Sequence, residues 1–558
     1  MIKKICLLAV VLNSTLITVA QTTPSDSIIS TIDKIDIVKK YQYAIKKVKK
    51  LDVHPEFSDT NFITTNFDYE LPLIGNRETK PLISPIKNSF FSLNSDAKKH
   101  LMYSNYVIGA FSSESNPFAE ISFAEELDNF KFGLFGQYHA DNQTDNQEPF
   151  FGFEHARIDG YLDYLRKKLL FQTEAGFQFQ EERLIFEDGP NFTHQNVSYN
   201  KYNVKIGLEN LSKRSFIKQA HLAFKGINQK NKNTESYLNF NVNFSDYLLQ
   251  EALLWKVDVN YHLSVNEMDS NALDNNLSVL DIKPQIQGSK DKFFYKAGLN
   301  IINAWDDNHI GGPANTYLIP ELNLSYRFDK SYNLSAGLTS DYELYTYRQI
   351  VNNNPFIAEG GVDTRARVSK LFYANLDGIV KGVKYRMGAK YALGGNWLFF
   401  ETLPINSHTY RPYYKSGDYM SLNLNLDYKF TKQLNFNLDI LLQQYNLEGG
   451  VKASHTPALI SHFKTSYQID DQWATYGTLK YSTKQNMISN TSFADPDQRG
   501  IQKEVNPIFD ISIGMQYDIR RQWRIFAEIN NLLNQKYETW GTYRHKGIYF
   551  TGGFRFKF

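Results

Sequence analysis

Residues 509–519 of this chain read FDISIGMQYDI, and this stretch is enough to choose between fold classes. Phe509, Ile511 and Ile513 fall on one face of an extended backbone, while Asp510 and Ser512 fall on the other. Strict alternation of this kind predicts a β-strand with one apolar and one polar face. A tilted strand needs about 9–11 residues to cross a bilayer, and this stretch has that length, whereas strands of soluble sheets average about 5–6.

The same signature recurs from residue 100 to the C-terminus. The clearest further strands are predicted at residues 238–245, 255–263, 422–430 and 434–442. Their polar faces are rich in Asn, Asp and Lys, and their apolar faces end in Tyr, Phe or Trp. Aromatic ends of this kind are typical of strands that face lipid between two interfacial girdles.

The connections between these segments alternate between short and long. Short turns are predicted at residues 127–129, 166–168, 212–214, 289–291, 329–331, 381–382, 431–433, 470–472 and 520–522. Longer loops rich in Asn, Asp and Gly are predicted at residues 140–149, 266–276, 306–316, 352–363, 396–417 and 484–504. Short periplasmic turns and long extracellular loops are typical of outer-membrane barrels, and the spacing predicts about 22 strands.

The predicted fold class for residues 100–558 is therefore all-β, a transmembrane antiparallel β-barrel. In hydrocarbon every backbone N–H and C=O must be paired, so the sheet has to close on itself. The first strand, at residues 103–113, is accordingly predicted to pair with the last, at residues 548–558. An even number of strands places both ends of the barrel on the periplasmic side.

The composition excludes several other classes of protein. The 558 residues contain 61 Lys and Arg against 59 Asp and Glu, a net charge of +2 that does not favour nucleic acid as a partner. The single cysteine, Cys6, excludes a disulfide framework and a thiolate metal site. The sequence has no H-E-x-x-H, G-x-S-x-G, P-loop or Rossmann signature, so neither an enzyme nor a cofactor is predicted.

Residues 1–20 are predicted to be a secretory signal peptide. Lys3 and Lys4 form its positive start, an apolar stretch follows, and cleavage is predicted near Ala20. Residues 21–99 then form a predicted extended tract in the periplasm or the lumen, with a basic stretch as a candidate contact for a periplasmic partner. The basic side chains are Lys39, Lys40, Lys46, Lys47, Lys49 and Lys50. A solvated periplasmic tail or a short amphipathic helix is the favoured interpretation of this stretch, because charge runs are mostly solvated.

The last predicted strand ends the chain with alternating aromatic residues. Phe554, Phe556 and Phe558 share one face, while Arg555 and Lys557 lie on the other. A terminal Phe on such a strand resembles the assembly signal read by the outer-membrane barrel-insertion machinery, which makes that machinery a predicted partner. The alternative is an ordinary amphipathic strand that happens to be last.

A further resemblance lies just upstream, in residues 528–537, which read EINNLLNQKY. The run looks like the penultimate-strand motif of TonB-dependent receptors, in which an Asn-Leu-x-Asn run precedes a Tyr. The residues that carry it are Asn530, Asn531, Leu532, Asn534 and Tyr537. The resemblance implies a barrel at the large end of the known range, of about 22 strands, an N-terminal plug domain, and import of large substrates driven by a TonB partner.

The chain departs from that family at its N-terminus. Residues 21–99 are too few for a folded plug and resemble the tract before the barrel in plug-less, TonB-receptor-like proteins. No full plug domain is therefore predicted. Because barrel diameter grows with strand number, an unfilled lumen of this size would be a wide hole. We expect residues 21–99, the loops 396–417 and 484–504, or a partner protein to occlude it.

Three loops carry weaker binding signals. The aromatic residues of 408–414 suit the stacking of a sugar, but a loop cap or a part of the outer girdle is the favoured interpretation. The acidic residues of 269–274 and 495–497 lack the spacing of a known calcium loop, so turn chemistry explains them better and no metal is predicted.

Together these features predict a protein of the Gram-negative outer membrane, in contact with its lipid. The predicted function is a transporter or gated, porin-like pore for polar solutes. The alternative is a non-transporting barrel with a sealed lumen, which serves as a scaffold or accessory subunit of an envelope complex with another protein. Conductance across a planar bilayer discriminates between the two.

Overall fold

A computed structural model describes most of the chain from residue 105 to residue 558. The positions it leaves out within this range are 114–115, 142–151, 189–190, 213–214, 231, 249–252, 268–275, 307–314, 329–331, 359–361, 403–408, 491–498, 521, 539, 541–542 and 546. The predicted signal peptide, the 21–99 tract with its six lysines and the question of a plug therefore lie outside the described residues.

The described chain folds almost entirely into strands. In chain order they are β1 (Tyr106–Ser112), β2 (Pro117–Leu127), β3 (Phe130–Asp141), β4 (Phe153–Arg166), β5 (Leu169–Asp188), β6 (Asn191–Asn210), β7 (Ile217–Gln229), β8 (Thr234–Leu248), β9 (Leu253–Glu267), β10 (Leu277–Lys290), β11 (Phe293–Asp306), β12 (Asn315–Arg327), β13 (Tyr332–Tyr345), β14 (Arg365–Val380), β15 (Val383–Leu393), β16 (Asn396–Thr402), β17 (Tyr410–Lys429), β18 (Leu434–Leu447), β19 (Leu459–Gln468), β20 (Trp473–Ser482), β21 (Gln485–Asn490), β22 (Arg499–Val505), β23 (Ile508–Asp518), β24 (Trp523–Asn530) and β25 (Tyr549–Lys557). One α-helix, α1 (Tyr347–Asn353), and a 3₁₀ turn (Glu448–Gly450) interrupt them. No helix in this part of the chain is long and apolar enough to cross a membrane.

Antiparallel pairing of these strands forms a closed barrel of 22 strands. All the strands except β16, β21 and β22 belong to the wall, where β15 pairs with β17 and β20 pairs with β23. Closure is made by β1 and β25, which pair from Tyr106↔Lys557 to Ser112↔Thr551. The predicted fold class, strand number and pairing of the first strand with the last are confirmed.

The alternation of the strands separates a lipid face from a lumenal face. Large apolar side chains stand exposed on the outside, among them Ile158, Phe177, Ile206, Phe240, Leu324, Met387 and Ile513. The polar neighbours of these side chains point inward. Burial of such an outer face in acyl chains stabilises the fold, because no water can compete for the paired backbone there.

The two ends of the barrel differ, and we name them the short-turn end and the long-loop end. Aromatic side chains ring the outside at the short-turn end: Phe130 and Tyr164 stack at 4.5 Å between ring centroids, as do Trp473 and Tyr517. The turns there are tight, and Lys381 and Gly382 both have positive φ, as a two-residue hairpin turn with the right-handed twist requires. The predicted short turns that the structure describes lie at this end.

The long-loop end differs from the prediction in two places. Residues 396–417 and 484–504 were expected to be loops, which is wrong. The first forms β16 and the start of β17, and the second forms most of the β21–β22 hairpin. Each of these strands finds hydrogen-bond partners in another long connection, since β16 pairs in parallel with β21. Sequence patterns that report local turns do not report pairing between distant segments.

Candidate functional site

The lumenal face of the wall is lined with amides and paired charges. On β8 and β9, Asn241 lies in hydrogen-bond contact with Asn260, and Asn243 with Asp258. The same ladder recurs on β17 and β18, where Asn425 contacts Asp439. Such a surface is polar with little net charge, which suits a water-filled path for polar solutes.

The wall divides at one seam, between β12 and β13. β12 pairs with β11 from Asn315 to Tyr326, but it pairs with β13 only from Leu322 to Arg327. Beyond Leu322, residues 339–345 of β13 stay paired with residues 365–371 of β14 and separate from β12, while Lys370 and Leu371 keep their pairing with β15. We call these two paired segments the inner ribbon.

The inner ribbon lies across the lumenal face of the strands that precede it. Ser340 near its base contacts Asn300 of β11. Two residues further on, the hydroxyl of Tyr342 lies 3.2 Å from Nε2 of His262 on β9. The ribbon therefore lies inside the wall over β9 and β11, and part of the sheet overlaps itself.

The two faces of the inner ribbon have different surroundings. On β13 its even-numbered side chains lie on the same face of the strand as Leu334. Leu334 is exposed on the outside of the barrel, whereas the even-numbered side chains of the ribbon pack against the inside of β10 and β11. This contact joins Tyr342, Leu344, Ala366 and Val368 to Val279, Ile302 and Ala304. The odd-numbered side chains point to the centre of the lumen.

A buried arginine fixes the lumenal face of the ribbon. Arg367 forms ion pairs with Asp341 at 2.8 Å and Glu343 at 3.3 Å, and its Nε donates to the hydroxyl of Tyr345 at 3.1 Å. The guanidinium also lies 4.2 Å from the ring centroid of Trp397, which belongs to β16. Removal of one partner from such a buried group typically costs about 3–5 kcal/mol, so this cluster holds the ribbon in place.

Helix α1 extends the ribbon further across the lumen. Thr346 is its N-cap and accepts a hydrogen bond from the backbone N–H of Gln349 at 3.3 Å. From the first turn, Arg348 donates to the carbonyls of Tyr202 on β6 at 2.8 Å and Gly226 on β7 at 2.9 Å. These bonds join α1, which follows β13, to the distant wall strands β6 and β7.

Further polar contacts secure the same crossing. The backbone N–H of Arg348 donates to Oε2 of the buried Glu235 on β8 at 3.0 Å, and the hydroxyl of Tyr347 donates to Gln229 at 2.7 Å. Burial raises the pKa of Tyr347, so this hydroxyl stays protonated and available as a donor. Tyr199 on β6 donates to the carbonyl of Pro355 at 3.0 Å, just beyond the helix.

Apolar side chains from many elements meet around this crossing. We call this cluster the cap. It consists of Phe153, Leu184, Ile185, Val197, Tyr199, Ile227, Tyr345, Tyr347, Ile350, Val351, Phe356, Ile357, Val362, Phe400, Tyr410, Trp540 and Tyr543. Phe356 and Tyr543 stack at 3.8 Å between centroids. The members come from the wall strands β4–β7, from α1, from β16 and β17 and from the β24–β25 connection, so segments that start far apart around the barrel share one core.

A small sheet supports the cap from one side. It runs from the upper part of β17 through β16 and β21 to β22. His455, in the connection after β18, lies between this sheet and the cap, 4.7 Å from the ring centroid of Trp540. Burial lowers the pKa of His455 to about 3, so the imidazole is neutral near pH 7.

The predicted assembly signal lies beside the closing seam. Phe554 and Phe558 are exposed on the outside, and Phe556 stacks on Trp523 at 4.5 Å between centroids. The backbone N–H of Phe558 donates to the carbonyl of Asn105, just before β1. The placement is compatible with recognition from the membrane, and the signal itself stays a prediction.

The predicted penultimate-strand motif forms the turn that follows β24. Asn531 and Asn534 have positive φ of 50° and 53°. The side chain of Asn531 bonds to both backbone groups of Gln535, at 2.9 and 3.1 Å. Tyr537 donates to Asp510 on β23 at 3.2 Å. Of the remaining motif residues, Asn530 is the last residue of β24. The backbone N–H of Leu532 donates to the carbonyl of Ile511. A structural role in this turn is therefore visible for the motif.

The weaker candidates are distributed as follows. In 408–414, Tyr410 and Tyr413 are buried and serve the packing of the long-loop end, which agrees with the favoured interpretation as a loop cap. Both acidic clusters lie outside the described residues. Within the described chain no group of three or more His, Cys, Asp or Glu side chains is placed to hold a metal ion.

Sequence analysis missed the ribbon and its partners, although two signals were present. Pro320 interrupts β12, and proline in a sheet is confined to edges or strand starts because it cannot donate to the ladder. Thr346 with Gln349 matches the Ser/Thr-x-x-Glu/Gln pattern of a helix start. Both signals involve few residues. The alternating pattern of the surrounding strands is longer and predicts ordinary wall strands.

Solved structures with this fold include several receptors and transporters. A variant of the ferric enterobactin receptor PfeA from Pseudomonas aeruginosa aligns with a TM-score of 0.59 at 12% identity, over 82% of this chain and 80% of that one. The FrpB iron transporter from Neisseria meningitidis aligns with a TM-score of 0.62 at 10% identity, over 82% and 81%. The copper transporter OprC aligns with a TM-score of 0.58 at 11% identity, over 82% and 80%.

No protein-family model and no curated protein matches the sequence. The similarity is therefore one of fold, and at that level the resemblance to TonB-dependent receptors is confirmed. The similar structures are named as receptors and transporters rather than as enzymes.

Proposed function

We propose that this chain is a transporter or gated pore for polar solutes in the outer membrane of a Gram-negative bacterium. The observation that carries the proposal is a closed, amide-lined barrel whose long-loop end is crossed by the chain's own ribbon, helix and cap. A scaffold needs no continuous polar lining, whereas a path for solutes does. The crossing segments are held by side-chain contacts, both polar and apolar, so substitution of these side chains can displace them.

The fold shared with proteins named as iron and copper transporters supports this proposal. A periplasmic or outer-membrane protein partner and the barrel-insertion machinery remain predictions, as does the location of the signal peptide cleavage. The imported or exported solute is expected to be polar and of low net charge, because the acids and bases of the lumen are largely paired with one another.

Conductance of the full chain in planar bilayers tests the proposal. We expect the wild type to be mostly closed and Arg348→Ala to show frequent openings, because this substitution removes two of the bonds that tie α1 to β6 and β7. Arg386→Ala is the matched control, since it breaks a lumenal ion pair with Asp377 on β14 and β15, away from α1.

Insertion is checked independently by heat-modifiable mobility on gels. If both the Arg348→Ala variant and the same variant lacking residues 21–99 insert but do not conduct, the pore proposal is wrong. The sealed scaffold would then be the better description.

A further inference from the structure

The direction of the backbone hydrogen bonds along β12 explains why β12 and β13 separate at this seam. Phe328 N–H donates to the carbonyl of Tyr332 on β13, while Arg327 N–H donates to Lys292 on the β11 side. Along β12, therefore, even-numbered residues direct their backbone groups toward β13 and odd-numbered residues direct them toward β11. The next even-numbered residue beyond Leu322 is Pro320, which has no N–H to donate.

The position of Pro320 coincides with the point where the ribbon leaves the wall. Continuation of the observed register would place Pro320 opposite Ser340 and Leu318 opposite Tyr342. The first pair would lack one of its two hydrogen bonds. Thr339 Oγ1 still donates to Oε1 of Glu321 at 3.4 Å, so the strands remain in contact up to this point and diverge directly after it.

The side chains of the ribbon would suit the wall as well as they suit the lumen. In the continued register Tyr342, Leu344, Ala366 and Val368 would face lipid, on the same side as Leu334 and Phe372. In the observed position they contact the apolar patch of Val279, Ile302 and Ala304. Their apolar surface is removed from water in both positions, so the hydrophobic contribution changes little between them.

The lumenal face of the ribbon also keeps its polarity in both positions. Asp341, Glu343 and Arg367 pair with one another within the ribbon, and these ion pairs would travel with it. A return to the wall would lose the contacts to Asn300 and His262, the contact of Arg367 with Trp397, the packing of Tyr345 and of α1 in the cap, and the bonds of α1 to β6–β8. A return to the wall would form backbone hydrogen bonds with the part of β12 beyond Leu322, which does not pair with β13.

We propose that the inner ribbon is a gate with two pairing states, packed across the lumen as observed and zipped onto β12 to open the path. The inference rests on the proposed function, since a gate regulates the pore described above. Zipping would carry residues 339–345 and 365–371 back into the wall and would pull α1 away from β6–β8. Pro320 weakens the zipped state by one hydrogen bond and thereby favours the closed state.

Cysteine pairs in the full chain test the two states separately. N300C with S340C joins side chains that touch in the closed state. L318C with Y342C joins residues that would be directly opposite in the zipped state. In the closed state Tyr342 lies against β9, three strands from β12, a separation of roughly 10–15 Å at the usual strand spacing and beyond the reach of a disulfide.

We expect both pairs to form disulfides under oxidant, with the single-cysteine variants as controls. The N300C/S340C disulfide should abolish openings until it is reduced, and the L318C/Y342C disulfide should hold the pore open. Pro320→Thr restores the missing donor, and should raise the open probability by roughly fivefold, the equivalent of one hydrogen bond of about 1 kcal/mol.

The two ways of failing can be told apart, because disulfide formation is read on gels and conductance in bilayers. If Arg348→Ala conducts but L318C/Y342C never forms a disulfide, or if the N300C/S340C disulfide leaves conductance unchanged, the gate is wrong and the pore proposal stands. If L318C/Y342C forms its disulfide and no variant conducts, the ribbon moves as proposed but the pore function is wrong.

Discussion

At the scale of single residues, Asn531 shows how one side chain fixes a turn. It is fully buried, has a φ of 50° and bonds through its amide to both backbone groups of Gln535. We expect Asn531→Ala to lose these bonds and in addition to leave at this φ a residue that tolerates the left-handed region less well than Asn, at a combined cost of about 2–4 kcal/mol. Asn531→Gly should lose only the bonds.

The order of the two variants is the test. Thermal unfolding in detergent, followed by the temperature at which heat-modifiable mobility is lost, should rank wild type above Asn531→Gly and Asn531→Gly above Asn531→Ala. Equal losses in the two variants would show that the backbone conformation contributes nothing and that the amide bonds account for the whole effect.

His455 gives the long-loop end a dependence on pH. Its pKa in the folded state is about 3, lowered by burial from the ordinary value of 6.5. A depressed folded pKa contributes stability that is present above pH 6.5 and is lost as the pH falls toward 3. At pH 4.5 opening of this region should be easier by about 2–3 kcal/mol, the equivalent of two pH units.

Hydrogen exchange of residues 452–458 measures this effect against a matched variant. His455→Phe keeps a ring between Tyr410 and Trp540 but cannot be protonated. After correction for intrinsic rates, protection should fall between pH 7 and 4.5 in the wild type and stay level in His455→Phe. The same fall in both proteins would assign the pH dependence to other groups.

At the scale of elements, α1 is too short to be stable alone, since it has seven residues. Its start depends on the Thr346 hydroxyl, and N-cap loss costs about 1 kcal/mol. We expect Thr346→Ala to speed exchange of the Ile350 and Asn354 amide protons, which close the helix on Thr346 and Ile350, by about fivefold. Thr346→Ser keeps the hydroxyl and should change little; if it speeds exchange equally, the cap bond is irrelevant.

Elements also mark the limit of what sequence could predict. Alternation reports which side chains of a strand share a face, and it identified the wall strands because lipid and lumen impose opposite polarity on those faces. It does not report what lies against the apolar face. Tyr342 and Leu344 alternate as Leu334 does, yet they contact protein rather than lipid, so the inner ribbon could not be distinguished from the wall by pattern alone.

At the scale of the whole molecule, closure made the strand number predictable. An unpaired edge in hydrocarbon is costly, so a set of spanning strands must return to its start, and β1 pairs with β25 as that requirement demands. The cap could not be predicted in the same way. Its members are separated by up to hundreds of residues, as in the contact of Phe356 with Tyr543, and no local rule determines such contacts.

The C-terminal residue allows assembly to be separated from stability. Phe550 lies in β25 and Phe558 directly follows its last residue, and they are almost equally exposed, at 55% and 53%. Replacement of either by Ala removes a similar amount of lipid-facing apolar surface, so the two variants should lower the stability of the assembled barrel by similar amounts. If the chain terminus is an assembly signal, Phe558→Ala alone should lower the yield of heat-modifiable barrel in the outer membrane. Equal yields for the two variants would leave Phe558 as an ordinary lipid-facing residue.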